Sequence, residues 1–259
     1  ANSQEVLIYS FLATYSGQNA NDVQLNMFRK FALPNWSVNF SGLSKIPALK
    51  KIFKTINITH SYKSTYSISS WATNLNYSEN NSMMMYEGTN LRVPKYDMAQ
   101  MVVSEQYAPL IGIKLSFKNN LSPSFDFKKS RTVTISFINN QLTESEGREI
   151  VIGCGYTFKD LGFTFASASG ASTKTSNDLT MKLDIGFRKD KTTLRSIDEN
   201  YSQISSGQNK INIYLTADYD FSTRLGMQAF FRHDMTDPFI ANSYKTSNTF
   251  AGVTLRFSL

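Results

Sequence analysis

The sequence is short of cysteine, histidine, charge and long apolar runs, and each shortage closes off a class of protein. Its one cysteine, Cys154, permits no internal disulfide framework. Its two histidines, His60 and His233, lie far apart in the chain, so a His/Cys metal centre has little to build on. No metal or other cofactor is expected. The longest apolar run, Val6 to Tyr9 followed by Phe11 and Leu12, falls far short of the roughly 20 residues that a membrane-spanning helix needs. No basic residue precedes that run, as a secretory signal requires, and the chain opens on Ala1. Both features fit a processed or partial product.

Charged residues make up 18% of the chain, against roughly 25% in typical globular proteins. Ser, Thr, Asn and Gln take their place, and aromatics reach 13%, too many for a disordered chain. The net charge of +7 would suit an anionic partner. The basic residues are scattered, however, and accompany no RNP-type motif or zinc-finger spacing, so nucleic acid is not expected. Gly153, Gly155 and Gly162 match no phosphate-binding loop, which requires a strand-to-helix transition and a Gly-Lys-Ser/Thr end. Asp184, Asp218 and Asp220 could form a carboxylate pair for glycoside hydrolysis. Their neighbours Lys182, Arg188 and Arg224 favour cross-strand charge pairs instead. No enzyme is expected.

The period of the apolar residues locates the elements. Ile8, Phe11, Leu12 and Tyr15 share a helical face, and Asn21 or Asp22 could cap a second short helix through Leu25, Phe28 and Arg29. Leu33-Pro34 ends the helical pattern, because the residue before proline disfavours helix. Residues 1–34 are therefore read as a helical lead-in, and 35–259 as strands interrupted by a helical turn at 43–54 and a long loop at 77–106.

From Trp36 onward the period is two. Nine strands are predicted, at 36–42, 55–70, 108–118, 123–138, 148–158, 178–188, 210–219, 223–233 and 249–259, with 162–165 a possible further one. The alternation is clearest late in the chain. Leu179, Met181, Leu183, Ile185 and Phe187 interleave with Thr180, Lys182, Asp184, Gly186 and Arg188. Ile211, Ile213 and Leu215 interleave with Asn212, Tyr214 and Thr216, with Asp218 further along the same polar side. Val253, Leu255 and Phe257 interleave with Thr254, Arg256 and Ser258.

Alternation alone fits a soluble sandwich or barrel as well as a membrane barrel. Three features favour the membrane. The alternating blocks run about 10 residues, the length with which a tilted strand crosses a bilayer, whereas soluble strands peak nearer 5 to 6. Tight turns at Asn119 to Leu121 and Asp220 to Ser222 alternate with long connections at 77–106, 189–208 and 234–248. The chain also closes inside a strand, with the aromatic Phe257 near its last residue. The predicted fold class is all-β: an antiparallel transmembrane β-barrel segment, about nine strands of a much larger barrel, with short helices near the N-terminus. Lipid is expected to meet Leu179, Met181, Leu183, Ile185, Ile211, Ile213, Leu215, Val253, Leu255 and Phe257. A wet lumen is expected to meet Lys182, Asp184, Arg188, Asn212, Thr216, Asp218 and Arg256. Asp placed at Ile213 or Leu183 should disrupt assembly, and Asp at Thr216 or Thr180 should be tolerated. An odd strand count suggests closure by strands from elsewhere; a self-contained small porin and a non-conducting surface β-protein are the alternatives.

Several longer stretches carry a family resemblance. They include EVLIYSFLATYSGQNA (Glu5 to Ala20), LPNWSVNFSGLSKIPALKKIF (Leu33 to Phe53), INITHSYKSTYSI (Ile56 to Ile68) and SEQYAPLIGIKLSFKNNL (Ser104 to Leu121). KKSRTVTISFINNQLTE (Lys128 to Glu144), REIVIGCGYTFKD (Arg148 to Asp160) and PFIANSYKTSNTFAGVTLRFSL (Pro238 to Leu259) follow in the same order. Together they resemble the C-terminal region of the Sov/SprA family, the giant outer-membrane translocon of the type IX secretion system in Bacteroidetes. The resemblance implies a single-chain barrel on the order of 36 strands through which folded client proteins cross the outer membrane. It implies as partners the remainder of the barrel, a PorV-type shuttle barrel, a periplasmic plug protein and outer-membrane lipid. In gliding species it implies export of motility adhesins. Most of the family's barrel is not in this sequence, so lateral gate and plug contacts cannot be assigned to its residues.

Three smaller features are candidate sites. Cys154 lies in an apolar register between Ile152 and Tyr156, which favours a packed or lipid-facing thiol over a reactive one. His60, beside Tyr62, reads as a hydrogen-bonded interfacial histidine. Met83-Met84-Met85 fits loop packing or an adaptable binding surface. The N-terminal helices could pack on the barrel wall or constrict the pore.

Overall fold

The computed structural model describes residues 4–16, 19, 35–81, 84–89, 92–166, 172–197, 199, 201–222, 224–240 and 243–257. The chain is all-β. After helix α1 (Gln4–Ser16) come β1 (Trp36–Phe40), a 3-10 turn (Gly42–Lys45), the single turn α2 (Pro47–Lys50), and β2 (Phe53–Thr73). Then follow β3 (Tyr96–Phe117), β4 (Leu121–Ser136), β5 (Gln141–Ala166), β6 (Ser172–Ser196), β7 (Tyr201–Asp220), β8 (Leu225–Pro238) and β9 (Thr246–Phe257). The nine strands form one open antiparallel sheet in sequence order, each hydrogen-bonded to the next. The short helix expected from Asn21 or Asp22 lies outside the described residues, as do Met83, Ser258 and Leu259.

The strands are longer than the sequence pattern indicates. β6 runs 25 residues and β5 runs 26, where the alternating blocks suggested about 10. Three expected long connections therefore shrink. β3 begins at Tyr96, so the loop read as 77–106 ends eleven residues early, and its second part is strand. The 189–208 connection is strand except around 197–200, and β8 continues to Pro238. The 162–165 segment is the end of β5 rather than another strand. The helical turn expected over 43–54 is also shorter, since Phe53 already belongs to β2. Backbone pairing explains these extensions: once the apolar stretches are in register, neighbouring polar residues gain ladder hydrogen bonds at little cost in side-chain burial.

Turns use the residues that tolerate a left-handed backbone. Asn120 (φ 66°) closes β3–β4 and Asn140 (φ 48°) closes β4–β5. The remaining part of the β2–β3 connection is organised around Asn74, a buried residue. Its amide donates to Tyr86 Oη at 2.8 Å and Asp97 Oδ1 at 3.0 Å, and its Oδ1 accepts from the Asn76 backbone at 3.0 Å.

The buried core sits at the end of the sheet away from Phe257. There α1 lays Leu7, Ile8, Phe11 and Leu12 on Met98, Met101, Val103, Val133 and Ile135. Gln4 fixes the start of the helix through both ends of its amide. Its Nε2 donates to the Tyr96 carbonyl at 2.6 Å, and its Oε1 accepts from the Met98 backbone at 3.1 Å. Of the two roles left open for this helix, the structure places it on the sheet. The cluster beneath it belongs to the same sheet face as the apolar residues described next, because Val133 and Ile135 continue the odd register of Phe125 and Phe127 along β4.

Candidate membrane-facing surface

Antiparallel partners directly opposite one another project to the same face. Pairing therefore turns nine separate apolar stripes into one belt. Starting from Phe40, successive partners are Ile58, Ile113, Phe125, Ile152, Ile185 and Ile213, ending at His233 and Thr249. A second line runs from Ile111 through Phe127, Ile150, Phe187, Ile211 and Met235. All the residues expected to meet lipid lie on this face: Leu179, Met181, Leu183 and Ile185 on β6, Ile211, Ile213 and Leu215 on β7, and Val253, Leu255 and Phe257 on β9.

Among the described residues nothing covers this belt. On interior strands, where neighbours flank both sides, Ile111 is still 47% exposed, Ile152 51% and Phe187 46%. So extended an uncovered apolar surface is of the kind that meets a partner protein or a membrane. From Leu179 to Phe187 the belt spans nine residues, about 27 Å along the strand and roughly 20 Å in height at a barrel-like tilt.

Aromatic rings bound the belt at both rims. Phe53 and Phe117 pack at 4.5 Å between centroids, and Tyr156 and Phe158 at 4.7 Å, near the end that holds Phe257. At the other rim Trp36, Tyr62 and Tyr107 are successive partners, stacked at 4.5 and 4.8 Å. Tyr and Trp at such levels present an apolar body and a polar tip. His60 lies just inside this rim, its Nδ1 donating to the Leu110 carbonyl at 2.7 Å. Cys154 is exposed in the belt, opposite Pro123 and Leu183.

The opposite face is polar and its charges are paired. Lys182 meets Asp184 at 2.8 Å, Arg188 meets Asp190 at 2.8 Å and Glu149 at 4.0 Å, and Arg232 meets Asp234 at 2.7 Å. Asp218 accepts from Arg256 at 3.2 Å and Gln228 at 2.7 Å, while Asn212 donates to Asp234 at 2.5 Å. All the residues expected to meet the lumen, Lys182, Asp184, Arg188, Asn212, Thr216, Asp218 and Arg256, share this face. Thr216 differs from the others. It is buried, 8% exposed, between Lys182 and Phe230 in its row, so it is a poor place for a new carboxylate. Asp184 and Asp218 each hold a basic partner, although for Asp218 it is Arg256 rather than the Arg224 nearer in sequence. Asp220 uses its backbone carbonyl to accept from Asn177 at 2.5 Å.

Alongside the belt the strand glycines fall on the polar face, whereas Gly207, beyond its rim, lies on the other. Gly112, Gly147, Gly153, Gly155, Gly186, Gly226 and Gly252 all fall on the polar face. A Cβ at Gly153 would collide with Ser124 and Asp184, and one at Gly252 with the Phe230 ring. The bare backbone makes room there for side chains crossing from neighbouring strands. Sequence reasoning missed this, although each glycine stood visibly in a polar register. Among the described residues no group of His, Cys, Asp and Glu could hold a metal ion. Neither a protein-family model nor a curated protein matches the chain.

Proposed function

We propose that this chain is a section of outer-membrane β-barrel wall, with the apolar belt against lipid and the charge-paired face toward a water-filled lumen. The observation that carries the reading is the belt itself: apolar residues held in register across all nine strands and left uncovered on one face only. The rims of aromatic rings and the paired charges opposite support it. In hydrocarbon an unpaired strand edge leaves several backbone groups without partners, so only closed sheets persist there. β1 and β9 are the two edges of this sheet, which favours closure by further strands over a self-contained porin.

The resemblance to the Sov/SprA family supplies the cargo. In that reading the finished barrel is the type IX secretion translocon, and folded client proteins pass through it. A PorV-type shuttle barrel and a periplasmic plug protein then attend it, and adhesins for gliding are among the cargo in motile species.

The experiment compares faces. Leu183→Asp and Ile213→Asp are expected to abolish assembly in the outer membrane and secretion of client proteins, while Thr180→Lys on the opposite face, across from Asp218, retains both. Equal effects from the two sets, or a protein that stays in solution without detergent, would overturn the membrane assignment in favour of a surface β-protein.

A further inference from the structure

The rim of the belt farther from Phe257 carries a feature that a barrel wall alone does not require. On β1 to β3 the rim row is aromatic, through Trp36, Tyr62 and Tyr107. Continuing along the same row, Tyr107 faces Lys129, Lys129 faces Arg148, and Arg148 faces Lys189. Three cations thus stand side by side on the apolar face. Like charges directly opposite one another destabilise a sheet.

Their surroundings are as informative as their charge. One row toward the belt are Phe127, Ile150 and Phe187, all apolar. One row away from it the signs alternate, through Glu105, Arg131, Glu146 and Lys191, so repulsion is relieved there within the row. The carboxylates of that outer row have basic neighbours of their own, since Glu146 faces both Arg131 and Lys191. Lys129, Arg148 and Lys189 have no ion-pair partner among the described residues; Lys189 places its Nζ 5.4 Å from the Phe239 ring centroid. Strands lie about 4.8 Å apart, so the heads of these long side chains converge within roughly 10 Å.

We propose that Lys129, Arg148 and Lys189 bind the phosphate of an anionic lipid headgroup, with the acyl chains lying over Phe127, Ile150 and Phe187. This rests on the membrane reading above. Apolar stems against the belt and charged heads at its edge place the cations at headgroup depth. A bound phosphate removes the repulsion within the row. The aromatic neighbours at the same level hold the rim at the interface.

The test uses the full chain in its native assembly, reconstituted into phosphatidylcholine vesicles with or without added lipid A. The wild type is expected to favour the vesicles containing lipid A. Neutralising all three, Lys129→Gln with Arg148→Gln and Lys189→Gln, should remove that preference, about fivefold per residue and roughly a hundredfold together. Insertion into pure phosphatidylcholine should be unchanged. A control with the same change in net charge, Lys50→Gln with Lys51→Gln and Lys114→Gln, should keep the preference. The lipid site is overturned if the first triple variant keeps its preference, if the control loses it, or if inorganic phosphate competes as well as lipid A does. Failure of the wild type to enter either vesicle overturns the membrane reading together with the site, and is thereby distinguished from failure of the site alone.

Discussion

Two apolar regions of one sheet face meet opposite fates. Under α1, Met101 is 0% exposed, Val103 1% and Ile135 2%. Farther along β3 Ile111 stands open at 47% exposed, and on β5 so does Ile150 at 38%. The side chains are similar and so is the backbone. What differs is that, among the described residues, a helix covers the first region and nothing covers the second. Between them lies the charged border of Lys129, Arg148, Arg131 and Glu146. A protein in one solvent has no reason to shield one apolar region and leave a larger one bare. A protein crossing from water into lipid does, because only the watery part of the strand needs its own cover. The great length of β3 to β7 then follows: one part of each spans the belt, and the rest stands beyond it.

The contrast can be broken from either side. The largest effect is expected from Ile8→Ala, which opens a cavity beneath a fully buried residue and costs α1 about 2–5 kcal/mol of docking energy. Hydrogen exchange at Met98 to Val103 should accelerate while membrane insertion is unchanged; lost insertion would mean the two regions are one unit. Ile213→Arg should cost roughly 2–4 kcal/mol in lipid, whereas Thr180→Arg, beside Asp218 on the polar face, should cost little. Unfolding titrations in a bilayer give both numbers, and a mutant in detergent-free buffer with unchanged stability would sink the lipid contact. Removing the Arg131–Glu144 pair, 2.6 Å apart in the border, is expected to cost only about 0.2–1 kcal/mol, checked by a double-mutant cycle in low and high salt.

The smallest effect concerns the β2–β3 connection, outside the belt. Lys95 bonds to Glu79 at 2.7 Å, which holds the Glu79 carboxyl below its ordinary pKa and the Lys95 ammonium above its own. The contribution of Glu79 is complete above the ordinary glutamate value and is lost as pH falls through its lowered value. That of Lys95 is complete below the ordinary lysine value and fades as pH rises through the raised one. Limited proteolysis of 74–95 should therefore quicken in acid, and Glu79→Gln should abolish that dependence. A wild-type loop equally resistant at all pH values would break the link.

Much of the belt was legible because each strand carried its own period of two. Leu179 to Phe187 and Ile211 to Leu215 declare their faces without knowing their partners, and antiparallel pairing does the rest. Strand extents were not legible, because past Phe187 both faces of β6 turn polar and no periodicity marks where the ladder stops. The buried cluster was hidden for a related reason. Tyr96 to Gln106 mixes Met, Val, Gln and Asp, and looks like loop until α1 arrives to give Met98 and Met101 a dry side. The helical face of Ile8, Phe11 and Leu12 could be read locally, but its docking partner lies about 90 residues away, as the Gln4 contacts with Tyr96 and Met98 show. The cationic row was equally invisible, since Lys129, Arg148 and Lys189 become neighbours only through strand register.

The segregation of glycine to the polar face alongside the belt has a mechanical consequence. A ribbon with bulk on one surface and gaps on the other bends readily toward the gaps and resists bending the other way. Gly186 leaves such a gap open, its Cβ position meeting nothing nearer than 3.8 Å, whereas at Gly112, Gly153 and Gly252 neighbouring side chains already reach into it. Filling such gaps would flatten the wall locally, so the bore of any cylinder built from these strands could be tuned by side-chain volume at a handful of positions.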